Sequence, residues 1–375
     1  MSGVDLIIVG AGPGGIAAAI RGRNLGLNVV VLEKGTRVFQ GILDTYPKGK
    51  KVYPTIPKGE EQAFAIPDLE PANEPVEEYL SRVEKCVEKH GIAICYGEEF
   101  QTLKRGKDSI TVITGKGRHI ASAVILAFGS NIPNDLGIYG EAKMVARSLR
   151  NPEEHIGVPT LVLGGGNAAA DVVSALSKTK RAANDSTPVY WGHRREPLKI
   201  DKDVARDLGE EILLGGNIQI LQGAVARIGE VDEEGVDRLI IHTHRFALQH
   251  GVEIGLGMSF PMKHVIACIG TQGPSSIFER LGLQQLTCAE GVCKIGREGA
   301  KLIMLNDGFQ TSVSGVYAIG GAISPFYLHV EEEGALREKK HSNLIFTALQ
   351  DGVRAVEDIA SRLGGDAAPQ SEPAR

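Results

Sequence analysis

A glycine-rich turn near the start of the chain has the residue types and the spacing that hold a dinucleotide pyrophosphate. It follows the apolar run Leu6-Ile7-Ile8-Val9 and reads Gly10-Ala11-Gly12-Pro13-Gly14-Gly15, and the small apolar residues after it favour a helix. Gly10, Gly12 and Gly15 occupy a GxGxxG pattern. Its first glycine makes the turn, its second admits the ligand to the backbone, and its third lets helix and strand pack closely. The pattern predicts a pyrophosphate at the N-terminus of this helix.

A second turn of the same kind lies about 150 residues further along the chain. It follows Thr160-Leu161-Val162-Leu163 and reads Gly164-Gly165-Gly166-Asn167-Ala168-Ala169, the GxGxxA variant. A single glycine-rich turn is weak evidence, because such turns also join strands to helices for structural reasons alone. Two of them in matching strand–turn–helix contexts predict two dinucleotides in one chain.

The residues after each turn indicate which dinucleotide it binds. The strand after the first turn ends in Glu33, beside Lys34, where a carboxylate accepts hydrogen bonds from the ribose hydroxyls of FAD or NAD. The strand after the second turn runs into His193, Arg194 and Arg195. Guanidinium groups there favour the 2′-phosphate of NADPH through charge-assisted hydrogen bonds. A solvated basic surface turn is the alternative interpretation of these cations.

At these residues the chain resembles the thioredoxin reductase-like branch of the two-dinucleotide flavoproteins, whose second nucleotide domain commonly carries a His-Arg-Arg stretch. Three further strands carry the resemblance, and they read Val124-Ile125-Leu126-Ala127-Phe128-Gly129, Val265-Ile266-Ala267-Cys268-Ile269-Gly270 and Gly315-Val316-Tyr317-Ala318-Ile319-Gly320. The resemblance covers nearly the whole chain.

The resemblance implies an α/β fold of two Rossmann-like, three-layer ββα domains. An FAD-binding domain of residues 1–155 and 268–365 would be split by an inserted NAD(P)H-binding domain of residues 156–267. FAD and NADPH are the implied cofactors. The residues expected at them are Gly10, Gly12, Pro13, Gly14, Gly15, Glu33, Lys34, Gly129, Gly320 and Gly321 for FAD, and Gly164, Gly166, Asn167, Ala168, Ala169, His193, Arg194 and Arg195 for NADPH.

Three departures from the family pattern bear on the chemistry. Thioredoxin reductases carry a Cys-x-x-Cys pair in the NADPH domain, and this chain has no such pair among its five cysteines. The bacillithiol disulfide reductase relatives carry a cysteine directly after the proline of the first turn, where this chain has Gly14. The late Gly-Asp that hydrogen-bonds the ribityl chain reads Gly320-Gly321, so one customary anchor for the flavin is absent.

The composition favours a reduced, cytoplasmic nucleotide-binding protein. A net charge of −5 and a pI near 6.1 offer no general attraction to nucleic acid or to an anionic membrane. No apolar run approaches the ~18 residues of a membrane span, and we expect no leader before the first strand. Scattered cysteines in odd number favour free thiols. Residues 366–375 are small, proline-bearing and polar, which predicts a disordered tail.

Two segments are less regular than the rest. The proline-rich stretch 39–78 is expected to be mostly loop, and Tyr46, Tyr53 and Phe64 are candidates to line the flavin pocket. The charged stretch 326–341 is expected to be either a lid or docking surface near the flavin, or an exposed mixed-charge loop. Amphipathic helices are predicted over 77–90 and 342–363.

The leading hypothesis is an FAD enzyme that takes hydride from NADPH and passes electrons on without a protein dithiol. Such an enzyme positions its cofactors and needs no conventional acid–base residue, so we name no catalytic residue. The resemblance makes a ferredoxin- or flavodoxin-type carrier protein the best guess for the acceptor, and it implies a homodimer.

Two alternatives remain open at this point. A reductase of low-molecular-weight disulfides would need thiols near the flavin, with Cys288 and Cys293 as the plausible pair. A non-enzymatic dinucleotide-sensing or assembly protein would retain the fold without the flavin chemistry.

Overall fold

The computed structural model describes residues 3–60, 63–130, 132–140, 145–194, 198–242, 247–249, 252–254, 257–289, 299–331 and 334–364. The chain divides into two compact units. The first unit comprises residues 1–43, 51–132 and 272–375, and the second comprises residues 44–50 and 133–271. The second unit therefore interrupts the first in sequence.

Helices and parallel strands alternate at the start of each unit, and longer runs of consecutive strands follow them. The helices are α1 Pro13–Asn24, α2 Gln40–Thr45, α3 Val76–Lys89, α4 Asn167–Ala182, α5 Lys202–Leu213, α6 Ser275–Arg280 and α7 Ile345–Arg362, with short 3-10 helices at Pro67–Leu69, Pro152–His155, Met262–His264 and Gly320–Ile323. The strands are β1 Val4–Val9, β2 Val29–Glu33, β3 Lys51–Val52, β4 Glu74–Pro75, β5 Ala93–Tyr96, β6 Phe100–Arg105, β7 Ile110–Thr114, β8 Arg118–Leu126, β9 Ile132–Pro133, β10 Tyr139–Gly140, β11 Thr160–Leu163, β12 Val189–His193, β13 Ile218–Gln222, β14 Val225–Val231, β15 Asp237–His242, β16 Ala247–Gln249, β17 Val252–Ile254, β18 Gly257–Pro261, β19 Val265–Ala267, β20 Thr271–Gln272, β21 Gln285–Thr287, β22 Lys301–Leu305, β23 Val316–Ala318, β24 Phe326–Val330 and β25 Leu336–Lys340.

The first unit is built on a sheet whose parallel strands run in the order β5-β2-β1-β8, with β23 also paired in parallel to β8. The antiparallel strands β7 and β6 extend the sheet beyond β8. Leu6, Ile7 and Ile8 of β1 are fully buried, which accounts for the continuous apolar run of this strand. A second sheet of the same unit has the order β21-β22-β24-β25.

The second unit has the three-layer ββα arrangement that the resemblance implies. A parallel sheet of order β13-β12-β11-β19 packs against a sheet of order β10-β14-β15-β18. Leu161 and Leu163 from the first sheet, with Leu239 and Ile241 from the second, form the apolar layer between them. Helix α4 contacts β11 and β12 and supplies the third layer.

Residues 133–155 were expected in the first domain, but they belong to the second unit. Strand β10 pairs in parallel with β14, Ala146 forms a bridge with Ile266, and the 3-10 helix at Pro152–His155 packs on α4. These pairings join residues far apart in sequence, which is why the position of the glycine turns did not reveal the boundary. The predicted tail at 366–375 lies outside the described residues.

The proline-rich stretch contains short elements rather than loop alone, and its aromatic residues have partners. Residues 44–50 belong to the second unit, where the Lys50 ammonium lies 2.7 Å from an Asp171 carboxylate oxygen and 3.6 Å from the centre of the Tyr46 ring. In the first unit, Phe64 packs edge-on against Phe346 with ring centres 5.1 Å apart. Two of the three aromatic candidates for the flavin pocket are therefore engaged within their own units.

The helices predicted over 77–90 and 342–363 are confirmed as α3 and α7, with ends shifted by a few residues. Their apolar faces are buried, as shown by Val83 and Val87 in α3 and by Val356 and Ile359 in α7. Within the described residues, no helix combines the length and the apolar character needed to cross a bilayer.

Two buried imidazoles are in contact inside the second unit. The Nδ1 atoms of His155 and His264 are 3.2 Å apart, and both residues are nearly inaccessible to solvent. The buried Lys180 of α4 donates to the carbonyls of His155 and Val158 at 2.7 and 2.6 Å. Burial, together with the neighbouring His264, lowers the pKa of His155 from 6.5 to about 4. Burial also lowers the pKa of His264.

These lowered pKa values predict acid destabilisation of the second unit. Unfolded histidines take up protons below pH about 6.5, whereas the folded pair resists protonation. The free energy of unfolding is therefore highest above that pH and falls as the pH is lowered toward about 4. The decrease in the free energy of unfolding that is attributable to His155 is roughly 3 kcal/mol. His155→Asn keeps a hydrogen-bonding group near the Nδ1 position and removes the titration. We expect it to reduce the difference in Tm between pH about 7.5 and pH about 5.

The control is His119→Asn, whose partly exposed ring lies in the first unit. This variant should retain the difference in Tm between the two pH values seen in the unmodified protein. An equal pH dependence in His155→Asn and the unmodified protein would contradict the assignment to the imidazole pair.

Candidate cofactor sites

The carboxyl ends of three parallel strands, β1, β8 and β23, bring together the residues expected at FAD. Gly10 follows β1 with a φ of +110°, and a Cβ there would collide with the carbonyl oxygen of Ala127, which follows β8. The Ala127 amide donates to the Val9 carbonyl at 2.8 Å, and the Ile319 amide, after β23, donates to the Leu126 carbonyl at 3.2 Å. The glycine turn thus lies directly against the ends of the neighbouring strands.

Helix α1 presents an uncapped N-terminus at this turn. Gly12 is the N-cap residue, Pro13 follows it at the first helical position, and no described side chain caps the helix. A Cβ on Gly12 would meet no atom of the described residues within 4 Å. Free amides and the positive end of the helix dipole, with open space before them, form an anion site that suits a pyrophosphate.

Glu33 is held at the edge of the turn by backbone amides. Its carboxylate is 7% exposed, and its two oxygens accept from the amides of Ala11 at 2.7 Å and Gly35 at 2.6 Å. These bonds fix the carboxylate, and each oxygen retains a lone pair for a ribose hydroxyl. The neighbouring Lys34 is exposed.

The position after the turn's proline has no room for a thiol. A Cβ on Gly14 would lie 2.9 Å from the Ala348 carbonyl oxygen and 3.2 Å from the Ile319 Cδ1. Both neighbours are held in place, because Ala348 belongs to α7 and Ile319 follows β23. On the opposite helix, a Cβ on Gly352 would collide with the Gly14 carbonyl oxygen. The close packing of α1 on α7 therefore excludes a cysteine at this position.

The late Gly320-Gly321 turn lacks an aspartate for a steric reason. A Cβ on Gly321 would lie 2.6 Å from the Ser130 amide nitrogen and 3.0 Å from the Asn343 Oδ1. The Asn343 amide group in turn donates to the Ser130 hydroxyl at 2.6 Å. Polar groups of Ser130 and Asn343 thus occupy the surroundings of the missing side chain.

A buried carboxylate from α7 holds the same turn. The Asp351 Oδ2 accepts from the Gly320 amide at 2.9 Å and lies 2.8 Å from the His341 Nε2. Asp351 and His341 are 4% and 5% exposed. Gly320 itself has a φ of +62°. The Asp351 carboxylate therefore fixes the Gly320 backbone.

The described parts of the charged stretch 326–341 contain two paired strands, β24 and β25. Strand β24 pairs in parallel with β22 and in antiparallel fashion with β25, and this pairing buries Tyr327 and His329 on one face. The His329 Nε2 lies 2.7 Å from the Asp307 Oδ1. Every residue of β25 is exposed. Strand β24 thus contributes two buried side chains, and β25 is a charged surface strand.

In the second unit, the second glycine turn lies at the carboxyl ends of β11, β12 and β19. Gly164 has a φ of +137°, and a Cβ on it would collide with the Cys268 carbonyl oxygen after β19. Gly166 is the N-cap of α4, and no side chain of the described residues caps this helix. Among the described atoms, the nearest to a Cβ on Gly166 would be the Lys199 carbonyl oxygen at 3.9 Å. Like α1, α4 therefore has an N-terminus that no described side chain caps.

The basic residues predicted at the 2′-phosphate follow the adjacent strand. His193 ends β12 and is buried, and its Cβ would lie 3.6 Å from a Cβ built on Gly165 of the turn. Arg194 is the next residue and is exposed, whereas Arg195 lies outside the described residues. The structure thus brings His193 to the turn and places Arg194 at the same edge of the sheet.

A loop after these cations closes over the turn, and the sequence did not predict it. The Lys199 amide donates to the Gly165 carbonyl at 2.8 Å. Asn167 and Asp201 exchange two hydrogen bonds, since the Asn167 Nδ2 donates to the Asp201 Oδ2 at 2.6 Å and the Asp201 amide donates to the Asn167 Oδ1 at 2.8 Å. Asn167, expected at the NADPH, is thus fixed by the N-cap residue of α5.

The two described cysteines nearest the predicted sites differ in their surroundings. Burial raises the pKa of the Cys268 thiol to about 12, which keeps it protonated beside the second turn. Cys288 is partly buried, and its backbone pairs with Ala300 at the base of the β21–β22 hairpin. Cys293 lies outside the described residues, so the disulfide reductase alternative stays a prediction.

Sequence reasoning missed the carboxylate and the imidazole that hold the Gly320 turn. The sequence of α7 contained an indication of this contact. Asp351 lies on the buried face of the helix, with the apolar Leu349 and with Gly352. A charged residue on an apolar helix face needs a partner, and that need indicates a structural or functional contact.

Comparison with known proteins gives a family match and a named relative. Residues 7–235 match the family described as pyridine nucleotide-disulphide oxidoreductase. The chain is 24% identical over 324 residues to a protein named ferredoxin–NADP reductase from Streptococcus agalactiae serotype Ia, with 85% of each chain covered.

Two solved structures have a similar fold at low sequence identity. The bacillithiol disulfide reductase of Staphylococcus aureus aligns with a TM-score of 0.72 and 18% identity over 96% of this chain and 99% of that one. The thioredoxin reductase of T. acidophilum aligns with a TM-score of 0.66 and 18% identity over 96% and 98% of the two chains. These likenesses confirm the predicted fold of two Rossmann-like domains.

The family match extends over more than half of the chain and includes both glycine turns, Glu33 and the basic stretch after β12. Together with the named relatives, it confirms the resemblance stated from the sequence. The chain is an NAD(P)H-dependent flavoprotein oxidoreductase that uses FAD and NADPH. The helix N-termini at both turns, which no described side chain caps, fit the pyrophosphates of these two cofactors. The chain belongs to the pyridine nucleotide-disulphide oxidoreductase family.

Proposed function

We propose that this protein transfers electrons from NADPH through FAD to a carrier protein of the ferredoxin or flavodoxin type, without a protein dithiol. The observation that carries the proposal is the packing at Gly14, where the carbonyl oxygen of Ala348 and the side chain of Ile319 fill the space that a cysteine would need. The name of the Streptococcus agalactiae relative supports the carrier as acceptor.

The residues of the first unit would bind FAD through its adenosine half and its pyrophosphate. Amides at the start of α1 would bind the phosphates, and the fixed carboxylate of Glu33 would accept from the ribose hydroxyls. Gly129 and the Gly320-Gly321 turn, held by Asp351, would approach the remainder of the cofactor. FAD, when bound, supplies the capacity to accept a hydride and to release electrons singly.

The residues of the second unit would orient NADPH. Gly164, Gly166, Ala168 and Ala169 would place the pyrophosphate at the start of α4, with Asn167 fixed by Asp201. His193, Arg194 and Arg195 would select the 2′-phosphate. Because the chain's task is to position the reacting groups, no side chain need act as a general acid or base.

The exposed strand β25 is the surface that we propose for the carrier. It carries the three cations Arg337, Lys339 and Lys340 and one acid, Glu338, on a strand whose residues are all exposed, and Arg337 is paired with Glu331 at 2.7 Å. The next residue is His341, which contacts the Asp351 that holds the Gly320 turn. An acidic carrier would thus be attracted to a strand that continues directly into the proposed flavin site.

We also propose a homodimer in a cytoplasmic, reducing environment.

The first turn allows a matched pair of variants to test FAD binding. Gly12→Ala places a methyl group where no atom of the described residues lies within 4 Å, so we expect the fold to persist while FAD affinity falls by about 10-fold or more. Gly15→Ala would collide with the Gly10 carbonyl oxygen, so we expect it to lower Tm and lose FAD together. Flavin content and Tm measured on both proteins check this. A Gly12→Ala protein with normal flavin affinity would contradict the site.

Charge reversal on β25 tests the carrier. The double variant Lys339→Glu, Lys340→Glu should raise the KM for an acidic ferredoxin or flavodoxin by about 10-fold at low salt, because electrostatic attraction accelerates encounter. Turnover with a small neutral quinone should be unchanged. Steady-state rates with NADPH and each acceptor check both expectations.

The matched control is Lys104→Glu, Arg105→Glu, which reverses two exposed cations on β6 of the same unit. It should leave the KM for the carrier near its original value. Equal increases in KM for the two double variants would show that net charge, and not β25, determines carrier binding.

A further inference from the structure

Three side chains of different ligand types converge in the first unit, away from the residues assigned to FAD. Cys86 and His90 lie four residues apart at the end of α3, so they share one helix face, and Asp68 comes from the 3-10 helix at Pro67–Leu69. One ligand atom from each residue lies within 4.8 Å of the other two. The His90 Nε2 is 3.8 Å from the Asp68 Oδ2.

The backbone at this cluster is fixed without a metal. The Tyr79 hydroxyl donates to the Leu69 carbonyl at 2.9 Å, and the Arg82 Nη1 donates to the Asp68 carbonyl at 2.9 Å. Both donors belong to α3, the helix that carries Cys86 and His90. The 3-10 helix is therefore held on α3, and only side-chain rotation is needed to adjust the ligand atoms.

We propose that Asp68, Cys86 and His90 bind a divalent transition metal ion, with zinc the best match. A sulfur, an imidazole nitrogen and a carboxylate oxygen are the ligands zinc takes in proteins, whereas calcium and magnesium select oxygen ligands. A tetrahedral ion places its ligand atoms roughly 3.5 Å apart, so a contraction of about 1 Å completes the site. Water occupies the fourth position.

The three residues differ in the fraction of each that is exposed to solvent. Cys86 is 5% exposed, while the side chains of His90 and Asp68 are 23% and 47% exposed. The ion thus enters from the carboxylate side and rests on a buried sulfur. When the sulfur–metal bond forms, the Cys86 thiol loses its proton to solvent, and no electron is transferred.

Lys89 competes with the ion for Asp68. Its ammonium lies 2.7 Å from the Asp68 Oδ2, and its side chain is 67% exposed, so it can move into solvent when a metal binds. This competition gives the proposal a distinctive signature, because removal of the lysine should strengthen metal binding.

Zinc competition with a chromogenic chelator, on the full-length protein first stripped of metal, tests the site. We expect one zinc ion per chain at this site, with affinity lowered at least about 10-fold by Cys86→Ser or His90→Gln. Asp68→Asn should also weaken binding, and Lys89→Ala should tighten it. Cys95→Ser, which removes a partly buried thiol of β5, is the matched control and should bind as the unmodified protein does.

Cobalt identifies the sulfur ligand. A thiolate-to-cobalt absorption band, recorded as a difference spectrum against the metal-free protein, should be present in Cys95→Ser and absent in Cys86→Ser. Should Cys86→Ser fail to fold, the partly exposed His90 and Asp68 decide the outcome through His90→Gln and Asp68→Asn. Zinc affinity that is unchanged in these two variants, or a cobalt spectrum without a thiolate band, would overturn the proposal.

Discussion

The close approach of α1 to α7 is the constraint on which the rest of the first unit depends. Gly14 and Gly352 have no side chains at the contact, and each backbone occupies the space that a Cβ of the other helix would require. This contact holds the start of α1 beside the ends of β1, β8 and β23, where the expected FAD residues meet. It also leaves no room for a side chain directly after Pro13. One packing contact thus positions the first glycine turn and excludes a cysteine beside it.

The two glycine turns share a local design and differ in what surrounds them. The first lies under α7, whose Asp351 holds the Gly320 backbone at 2.9 Å. The second is covered by the loop that contains Lys199 and Asp201, which bind Gly165 and Asn167. The shared part needs only a strand, a turn and a helix N-terminus. The differing parts come from segments distant in sequence, and they set each site's surroundings.

The sequence predicted the features that local physics determines. The glycine turns, Glu33 at the end of β2 and the apolar face of α3 all follow from steric demands or periodicity within a few residues. It did not predict that residues 133–155 join the second unit, that β24 pairs with β25 or that Asp351 and His341 support Gly320. Each of these depends on pairing between distant segments, such as β10 with β14 or β24 with β22. Periodicity and turn chemistry carry no information about such pairing.

The most direct measurement is an anaerobic titration of the purified protein with NADPH, following the flavin absorbance near ~450 nm. A protein that holds two electrons on FAD and none on a dithiol should be fully bleached by about one equivalent of NADPH per flavin. A reactive disulfide would accept two further electrons. An end point near about two equivalents, or a flavin that NADPH does not bleach, would contradict electron transfer without a thiol.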